Sequence, residues 1–176
     1  MKTLMWSFAL LLVLSSCSLD RQTKIKKRSH PSHIYNFVDI THQKLGYKET
    51  DYVPVYSDIY HKDGSERFLL TTTLSIRNTS FTDSAYIVSA VYNDSYGKKL
   101  AEYIDSTILL SPLESIEFVV GEKESQGGAG AHFLVDWTAR DNSDQLLIQT
   151  VMIGSYGQQG ISFTADAKII KSAYTK

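Results

Sequence analysis

Residues 126–137 read QGGAGAHFLVDW, in which three glycines within four positions precede an alternating apolar run. Phe133, Val135 and Trp137 recur at every second position, the period of a β-strand with one buried face. Asp136 is out of phase with these residues and is expected to face away from the core. The stretch predicts a strand that enters a sheet directly from a glycine-rich loop.

The same alternation recurs along the chain, for example at Ser115–Val120. About eight such segments are separated by turn signals, and no segment after the N-terminal signal has the pattern of an amphipathic helix. This order predicts an all-β fold, an immunoglobulin-like antiparallel β-sandwich of about 7–9 strands with Trp137 in its core. The residues expected to interdigitate between the two sheets are Leu74, Ile76, Val91, Phe118, Phe133 and Val135.

The N-terminus has the features of an export signal. MKTLMWSFALLLVLSSC has a basic residue at position 2, an apolar run too short to span a membrane, and small residues before Cys17. The LSSC sequence at 14–17 is typical of a lipoprotein signal, in which the cysteine receives diacylglycerol; the alternative is an ordinary signal with an unmodified cysteine. We therefore divide the chain into a lipoprotein signal peptide (1–16), a lipidated N-terminus and flexible tether (17–46), and a β-sandwich domain (47–176).

Composition limits the functions that the domain can serve. Cys17 is the only cysteine in the 176 residues, so the domain has neither a disulfide nor a thiolate nucleophile. Residues 17–28 hold five basic residues and one acidic residue, whereas the chain beyond residue 28 holds 12 basic and 18 acidic residues. The basic segment is either a contact with anionic lipid headgroups or a solvated tether. The acidic domain and the export signal disfavour nucleic-acid binding.

The glycine loop raises the question of a nucleotide site. A phosphate-binding loop follows a strand, opens a helix and carries a Lys-Ser/Thr pair. Here Gly127, Gly128 and Gly130 follow the acidic stretch 122–124 (EKE) and precede a strand pattern, which disfavours a nucleotide. Two interpretations remain. Glycine supplies a positive φ at a turn or bulge, which we favour, or the bare backbone admits a ligand or a partner chain.

Three tyrosines form a second candidate site. Tyr52, Tyr56 and Tyr60 recur at every fourth position, which places them on one face of a single strand. Pro54 cannot donate to a ladder and predicts that this is an edge strand or a first strand. Phenol rings on an open face suit recognition of a glycan or a protein, and the alternative is that they cover a sheet face.

Catalytic and metal motifs are weak. The five histidines are scattered, and no G-x-S-x-G nucleophile elbow is present. A carboxylate pair such as Asp136 and Glu117 is conceivable for a glycosidase, although the phase of Asp136 points it to solvent. The sequence assigns no catalytic residue, no metal ligand and no cofactor, and it favours a binding protein over an enzyme.

Five blocks of sequence carry a family resemblance: YVPVYS at 52–57, LSIRNT at 74–79, GGAGAHF at 127–133, MIG at 152–154 and GISF at 160–163. Over about residues 50–165 the chain resembles the bacterial family known as the domain of unknown function numbered 3124. The resemblance implies a small exported or lipid-anchored protein and implies no activity. The family often has a hydroxyl residue in place of Ala129 and asparagine in place of His132, whereas the glycines are kept, consistent with a backbone requirement.

If the family shares a site, Arg77 and Asn78 are the polar residues to test, together with the 127–130 loop and His132. The alternative is structural: an arginine that pairs locally and an asparagine that caps a loop.

The sequence as a whole predicts a lipid-anchored cell-envelope protein that acts as a binding or assembly module. Ser18 follows the lipidated cysteine where a retaining aspartate would favour the inner membrane, so the outer membrane is expected. The expected partners are the membrane, through the lipid on Cys17, and an envelope protein or glycan. The alternatives are an enzyme, or an accessory subunit of one, that acts in the periplasm, and a purely structural envelope protein.

Overall fold

The computed structural model describes residues 26–27, 34–141 and 146–174, so the predicted signal peptide and Cys17 lie outside the described residues. The described chain forms β-strands and a short 3₁₀ turn at Ser125–Gly127. The strands in chain order are β1 (Lys26–Lys27), β2 (Tyr47–Val55), β3 (Asp58–His61), β4 (Glu66–Leu69), β5 (Thr71–Asn78), β6 (Ala85–Asn93), β7 (Lys99–Ile104), β8 (Ile108–Leu110), β9 (Ser115–Val120), β10 (Ala131–Ala139), β11 (Leu146–Tyr156), β12 (Gln159–Asp166) and β13 (Lys168–Tyr174).

Two sheets share one core. The first sheet has the strand order β1-β7-β6-β10-β2-β13, with β8 also paired to β6, and the second has the order β12-β11-β5-β9. β3 and β4 form a separate hairpin. Apart from the short β1, which runs parallel to β7, neighbouring strands are antiparallel. Buried side chains from both sheets form a single hydrophobic cluster, and the predicted all-β sandwich is confirmed.

Five of the six predicted interdigitating residues and Trp137 are buried in this cluster. The exception is Val91, whose assignment to the core is wrong, because it is only half-buried on the outer face of β6. Its neighbours Ala90 and Tyr92 point inward instead, and the Tyr92 ring packs 5.1 Å from that of Phe133. The register shift between β6 and β10, where Asp136 pairs with Ser89 but Trp137 pairs with Ile87, brings Ala90 and Tyr92 rather than Val91 onto the core face.

β2 is an interior strand, although Pro54 had predicted an edge or a first strand. It lies between β10 and β13, and Pro54 pairs with His132 of β10. On the other side, the ladder with β13 ends at the pair between Tyr52 and Lys168. Pro54 thus lies beyond the last pair on that side, where a missing N–H removes no ladder hydrogen bond.

The two sides of the sandwich are closed differently. Before β2, the chain runs along the β8–β9 side, where the Tyr35 ring stacks 5.7 Å from Phe118 and Val38 N donates to Thr107 O at 3.0 Å. The described part of the predicted tether therefore packs on the domain. On the opposite side, β12 and β13 are the terminal strands of their sheets, and no segment in the described ranges pairs with their outer edges. We call these the closed side and the open side.

Candidate functional site

The three tyrosines do not share a strand face. Tyr52 lies on β2 and stacks on the ring of His132, with the ring centroids 4.5 Å apart. Tyr56 follows the end of β2, and its ring lies 5.7 Å from that of Phe163 on β12. Tyr60 lies on β3, because the chain leaves the first sheet after β2 and enters the separate hairpin. The alternation that relates them in sequence produces no single aromatic surface, and their role in binding stays a prediction.

Arg67 of β4 links the two strands of the β3–β4 hairpin to each other. Its guanidinium lies 2.7 Å from the buried carboxylate of Asp58 and 4.2 Å from the centre of the Tyr60 ring. A cation held between a carboxylate and an aromatic face is positioned on both sides. These contacts give Tyr60 a structural partner.

The backbone of the glycine loop is hydrogen-bonded to neighbouring turns. Gly127 O accepts hydrogen bonds from the backbone N and the Oγ of Ser95, both at 2.9 Å, and Gly130 N donates to the same Oγ at 2.9 Å. Gly128 O accepts from Ser57 N at 3.2 Å. Gly128 has a φ of +76°, and a Cβ there would lie 2.7 Å from Ser95 Oγ. The expectation that a glycine supplies a positive φ is confirmed at Gly128.

Arg77 and Asn78 point to opposite faces of β5. Arg77 is exposed, and its Nη1 donates to Gln149 Oε1 at 3.2 Å. Asn78 is only 4% exposed, and its Oδ1 accepts from Ser80 N at 3.0 Å. The Asn78 amide Nδ2 donates to the main-chain carbonyls of Asp83 (2.8 Å), Leu110 (3.1 Å) and Ser111 (3.1 Å). Arg77 thus pairs with a neighbouring side chain and Asn78 caps a loop. These are the structural roles that the sequence offered as the alternative to a binding site.

An inner acidic cluster, formed by Tyr47, Glu49, Asp51 and Trp137, was not found from the sequence. The first three residues lie on the core-facing side of β2, and Trp137 lies beside them on β10. Trp137 Nε1 donates to Asp51 Oδ2 at 2.8 Å, and the Tyr47 hydroxyl donates to Glu49 Oε2. The sequence feature that could have revealed this cluster is the alternation of Tyr47, Glu49, Asp51 and Val53. It is difficult to recognise because charged residues at inward positions make a strand look like a polar loop.

The electrostatics of this cluster follow from its burial. Burial raises the pKa of Asp51 to about 6; the nearby Glu49 carboxylate also raises it, whereas the Trp137 hydrogen bond lowers it. Burial likewise raises the pKa of Tyr47 to about 12, with a further contribution from Glu49. Tyr47 therefore remains a neutral hydrogen-bond donor at physiological pH.

A groove lies on the outer face of the first sheet, with a volume of about 420 Å³. Asp136 is in its floor, where Oδ1 accepts from Thr50 Oγ1 at 2.6 Å and Oδ2 accepts from Ser89 Oγ at 2.7 Å. We call this the outer groove; its lining residues are Ile40, Lys48, Glu49, Thr50, Val88, Asp136, Trp137, Thr138, Lys171 and Ala173. The prediction that Asp136 faces away from the core is confirmed. The groove could not be predicted, because its lining residues come from segments that are far apart in the sequence.

The carboxylate pair of Asp136 and Glu117 does not form. Glu117 is exposed on β9 in the second sheet, whereas Asp136 faces outward from the first. The core separates the two side chains, so the glycosidase hypothesis based on this pair is wrong. Within the described residues, no group of three or more His, Cys, Asp or Glu side chains is placed to hold a metal ion.

The outer edges of β12 and β13 differ in how well they are protected against pairing with another strand. β12 pairs with β11 through eight consecutive residues without a register shift, and its residues 159–165 include no charged residue and no proline. β13 carries Lys168 and Lys171, and its register shifts between Ile169 and Lys171. Lysines and bulges discourage strand pairing at an edge. The β12 edge lacks these features, and exposed Ile153, Tyr156 and Ile161 lie on the same hairpin.

Comparison with known proteins assigns the family. The family model described as a protein of unknown function, DUF3124, matches residues 48–170, and the chain belongs to this family. No curated protein matches the sequence. Among solved structures, the crystal structure of Thermotoga maritima 1070 is similar at 12% identity and a TM-score of 0.39, covering 68% of this chain and 92% of that chain. Within the described ranges, no helix has the length and apolar character needed to cross a bilayer.

Proposed function

We propose that this protein is a lipid-anchored cell-envelope module that binds an extended segment of another envelope protein along the β12 edge. The observation that carries the proposal is the unprotected edge of β12 on the open side of the sandwich. An exposed edge presents unpaired N–H and C=O groups, and an added strand satisfies them. Recognition would then combine main-chain hydrogen bonds with contacts to the exposed apolar side chains of the β11–β12 hairpin.

The ladder geometry identifies the groups available to such a partner. β11 and β12 are joined by the two residues 157–158, and Tyr156 and Gln159 form the closing pair. The closing pair of a two-residue hairpin is hydrogen-bonded, and such pairs alternate with pairs that are not. Gly160, Ser162 and Thr164 are therefore the residues whose main-chain N–H and C=O groups point to the free edge.

The position of the N-terminal segment supports the same function. β1 pairs with β7, and the chain around Tyr35 packs near β9, so both contacts lie away from β12. A lipid on Cys17 would therefore approach the domain from the closed side and leave the β12 edge accessible. An aspartate directly after the lipidated cysteine would favour the inner membrane. Because Ser18 stands at this position, we assign the anchor to the outer membrane.

The edge is tested by site-specific photo-crosslinking in cells. A photoreactive residue at Ser162 is expected to give a specific adduct with an extended segment of one envelope protein, whereas the same residue at exposed Ser65 of the β3–β4 turn is not. In the protein that carries the photoreactive residue at Ser162, Thr164→Pro removes one outward N–H and should abolish the adduct, while Thr164→Val keeps the N–H and should preserve it. Equal adducts for the proline and valine variants would contradict strand addition, and an adduct with a second copy of this chain would replace the proposed partner.

The anchor is tested separately. Cys17→Ala is expected to move the protein from the membrane fraction to the soluble fraction, because the acyl chains supply the membrane affinity. Cys17→Ser, which also lacks the thiol, should behave identically. Retention of both variants in the membrane would refute lipid anchoring at this residue without affecting the β12 result.

A further inference from the structure

The outer groove contains two cationic side chains that the fold does not use. Lys48 of β2 and Lys171 of β13 are both exposed, and neither ammonium has a hydrogen-bond or ion-pair partner among the residues that the structure describes. Lys171 is directly opposite Thr50 in the ladder, and Lys48 is two residues from Thr50 on the same face. Both ammonium groups therefore rise from the sheet beside the hydroxyl that binds Asp136.

Asp136 is fixed but retains acceptor capacity. Each of its carboxylate oxygens accepts one hydrogen bond, from Thr50 at 2.6 Å and from Ser89 at 2.7 Å. A carboxylate offers about four lone-pair positions, so the hydroxyl donors fix its orientation and leave acceptors for a ligand. A ligand in the groove must therefore bring hydrogen-bond donors to the floor, or it would desolvate the remaining acceptor positions of Asp136 without replacing their water partners.

The walls of the groove add apolar surface. Ile40 comes from the segment before β2, Val88 from β6 and Ala173 from β13, and Val88 is 39% exposed. Glu49 and Trp137 also line the groove, but their side chains are buried on the inner face of the sheet. The groups that face a ligand are thus two ammoniums, one carboxylate, hydroxyls and aliphatic carbons.

We propose that the outer groove binds a carboxylated sugar residue of the uronic-acid type. Its carboxylate would lie between Lys48 and Lys171, its hydroxyls would donate to Asp136, and an apolar ring face would contact Val88 and Ile40. Two ammoniums and one carboxylate leave a net charge of +1, which matches a monoanion better than a phosphate monoester. A fatty acid would supply the charge but no donor for Asp136. This site is independent of the β12 edge.

The test uses the full-length protein in detergent and saturation-transfer NMR with glucuronate, glucose and inorganic phosphate as probes. Glucuronate is expected to bind in a saturable manner, while glucose, which lacks the carboxylate, binds at least about tenfold more weakly. Lys48→Gln and Lys171→Gln should each raise the dissociation constant for glucuronate about tenfold. Lys98→Gln, at an exposed lysine outside the groove, should leave it unchanged.

Four outcomes would overturn the proposal. The first two are the absence of glucuronate binding and glucose binding as tight as that of glucuronate. The other two are inorganic phosphate that competes for the groove as strongly as glucuronate, and a loss of affinity in Lys98→Gln equal to that of the groove variants. Because neither the Lys48 nor the Lys171 ammonium has a partner among the described residues, both variants should keep the melting temperature of the parent protein. That control separates loss of binding from loss of structure.

Discussion

The indole Nε1 of Trp137 donates a 2.8 Å hydrogen bond to Oδ2 of Asp51 inside the core, where both side chains are less than 5% exposed. This bond joins β10 to β2 below their main-chain ladder. It gives the buried tryptophan N–H an acceptor, and it holds a carboxylate in a position that burial makes costly to ionise.

The first prediction concerns the pH dependence of stability. The pKa of Asp51 is raised from 3.8 to about 6 in the folded protein, so the folded state binds the proton more tightly than the unfolded state. The free energy of unfolding should therefore fall as pH rises from about 4 to about 6, and the lost stability should return on acidification. Asp51→Asn keeps an oxygen for Trp137 and should be more stable than the parent at pH 7 by up to about 3 kcal/mol.

Urea unfolding of the two proteins across this pH range measures the effect. When the measurement is extended to lower pH, the difference between them should shrink and approach zero below about pH 3, where Asp51 is protonated in both folded and unfolded states. A difference that does not change with pH would contradict the assigned protonation of Asp51.

The second prediction concerns the hydroxyl of Tyr47. Tyr47→Phe leaves the buried Glu49 carboxylate without this donor and should lower the free energy of unfolding by about 1–3 kcal/mol. Tyr174→Phe is a matched control, because the Tyr174 ring lies 5.3 Å from Tyr47 but is 63% exposed. Thermal or urea unfolding should show a change within about 0.5 kcal/mol for the control. Equal effects of both substitutions would show that the hydrogen bond from the Tyr47 hydroxyl to the buried Glu49 carboxylate makes no specific contribution to stability.

The third prediction compares two glycines with a positive φ, one in the β6–β7 turn and one in the glycine loop. Gly97 and Gly128 have φ values of +78° and +76°, but a Cβ at Gly97 has nothing within 4 Å, whereas one at Gly128 meets Ser95. Gly97→Ala should cost about 1 kcal/mol through strain alone. Gly128→Ala should cost at least about 1 kcal/mol more, because its ψ of −171° lies in a backbone region open essentially to glycine and its Cβ would meet Ser95. Differential scanning calorimetry checks the order. A Gly128→Ala variant as stable as the parent would show that the loop adopts another backbone conformation.

The fourth prediction distinguishes a structural role from a binding role on β5. Asn78→Ala removes a buried amide that links two loops and should lower the free energy of unfolding by about 2–4 kcal/mol. Arg77→Ala, at the exposed neighbouring residue, should change it by no more than about 0.5 kcal/mol. Chemical denaturation of both variants decides the point. If Asn78→Ala were as stable as Arg77→Ala, the structural role assigned to the Asn78 hydrogen bonds would be wrong.

The sequence predicted the fold through alternation wherever one face of a strand is apolar. Phe133, Val135 and Trp137 face the core and Asp136 faces outward, as their spacing indicates. The same logic missed β13, because all seven of its residues are exposed and no face stands out in its pattern. It also missed Glu49, since a charged residue at an inward position is indistinguishable from a loop residue until its hydrogen-bond donor is known.

The outer groove lay beyond sequence reasoning for a different reason. Its lysines, its carboxylate and its apolar walls come from segments brought together only by the strand order of the first sheet. Neither Lys48 nor Lys171 belongs to a motif, and their proximity depends on the pairing of β2 with β13. Local patterns contain no information on such long-range pairings.

The position of β2 has a consequence for how the chain acquires its structure. β2 begins at Tyr47, yet both of its hydrogen-bonded neighbours, β10 and β13, come from the final third of the chain. The first sheet thus cannot be completed while its C-terminal strands are still being synthesised. The domain should fold in one slow cooperative step once the whole chain is available, and products truncated before residue 131 should be cleared by proteases rather than accumulate as partial folds.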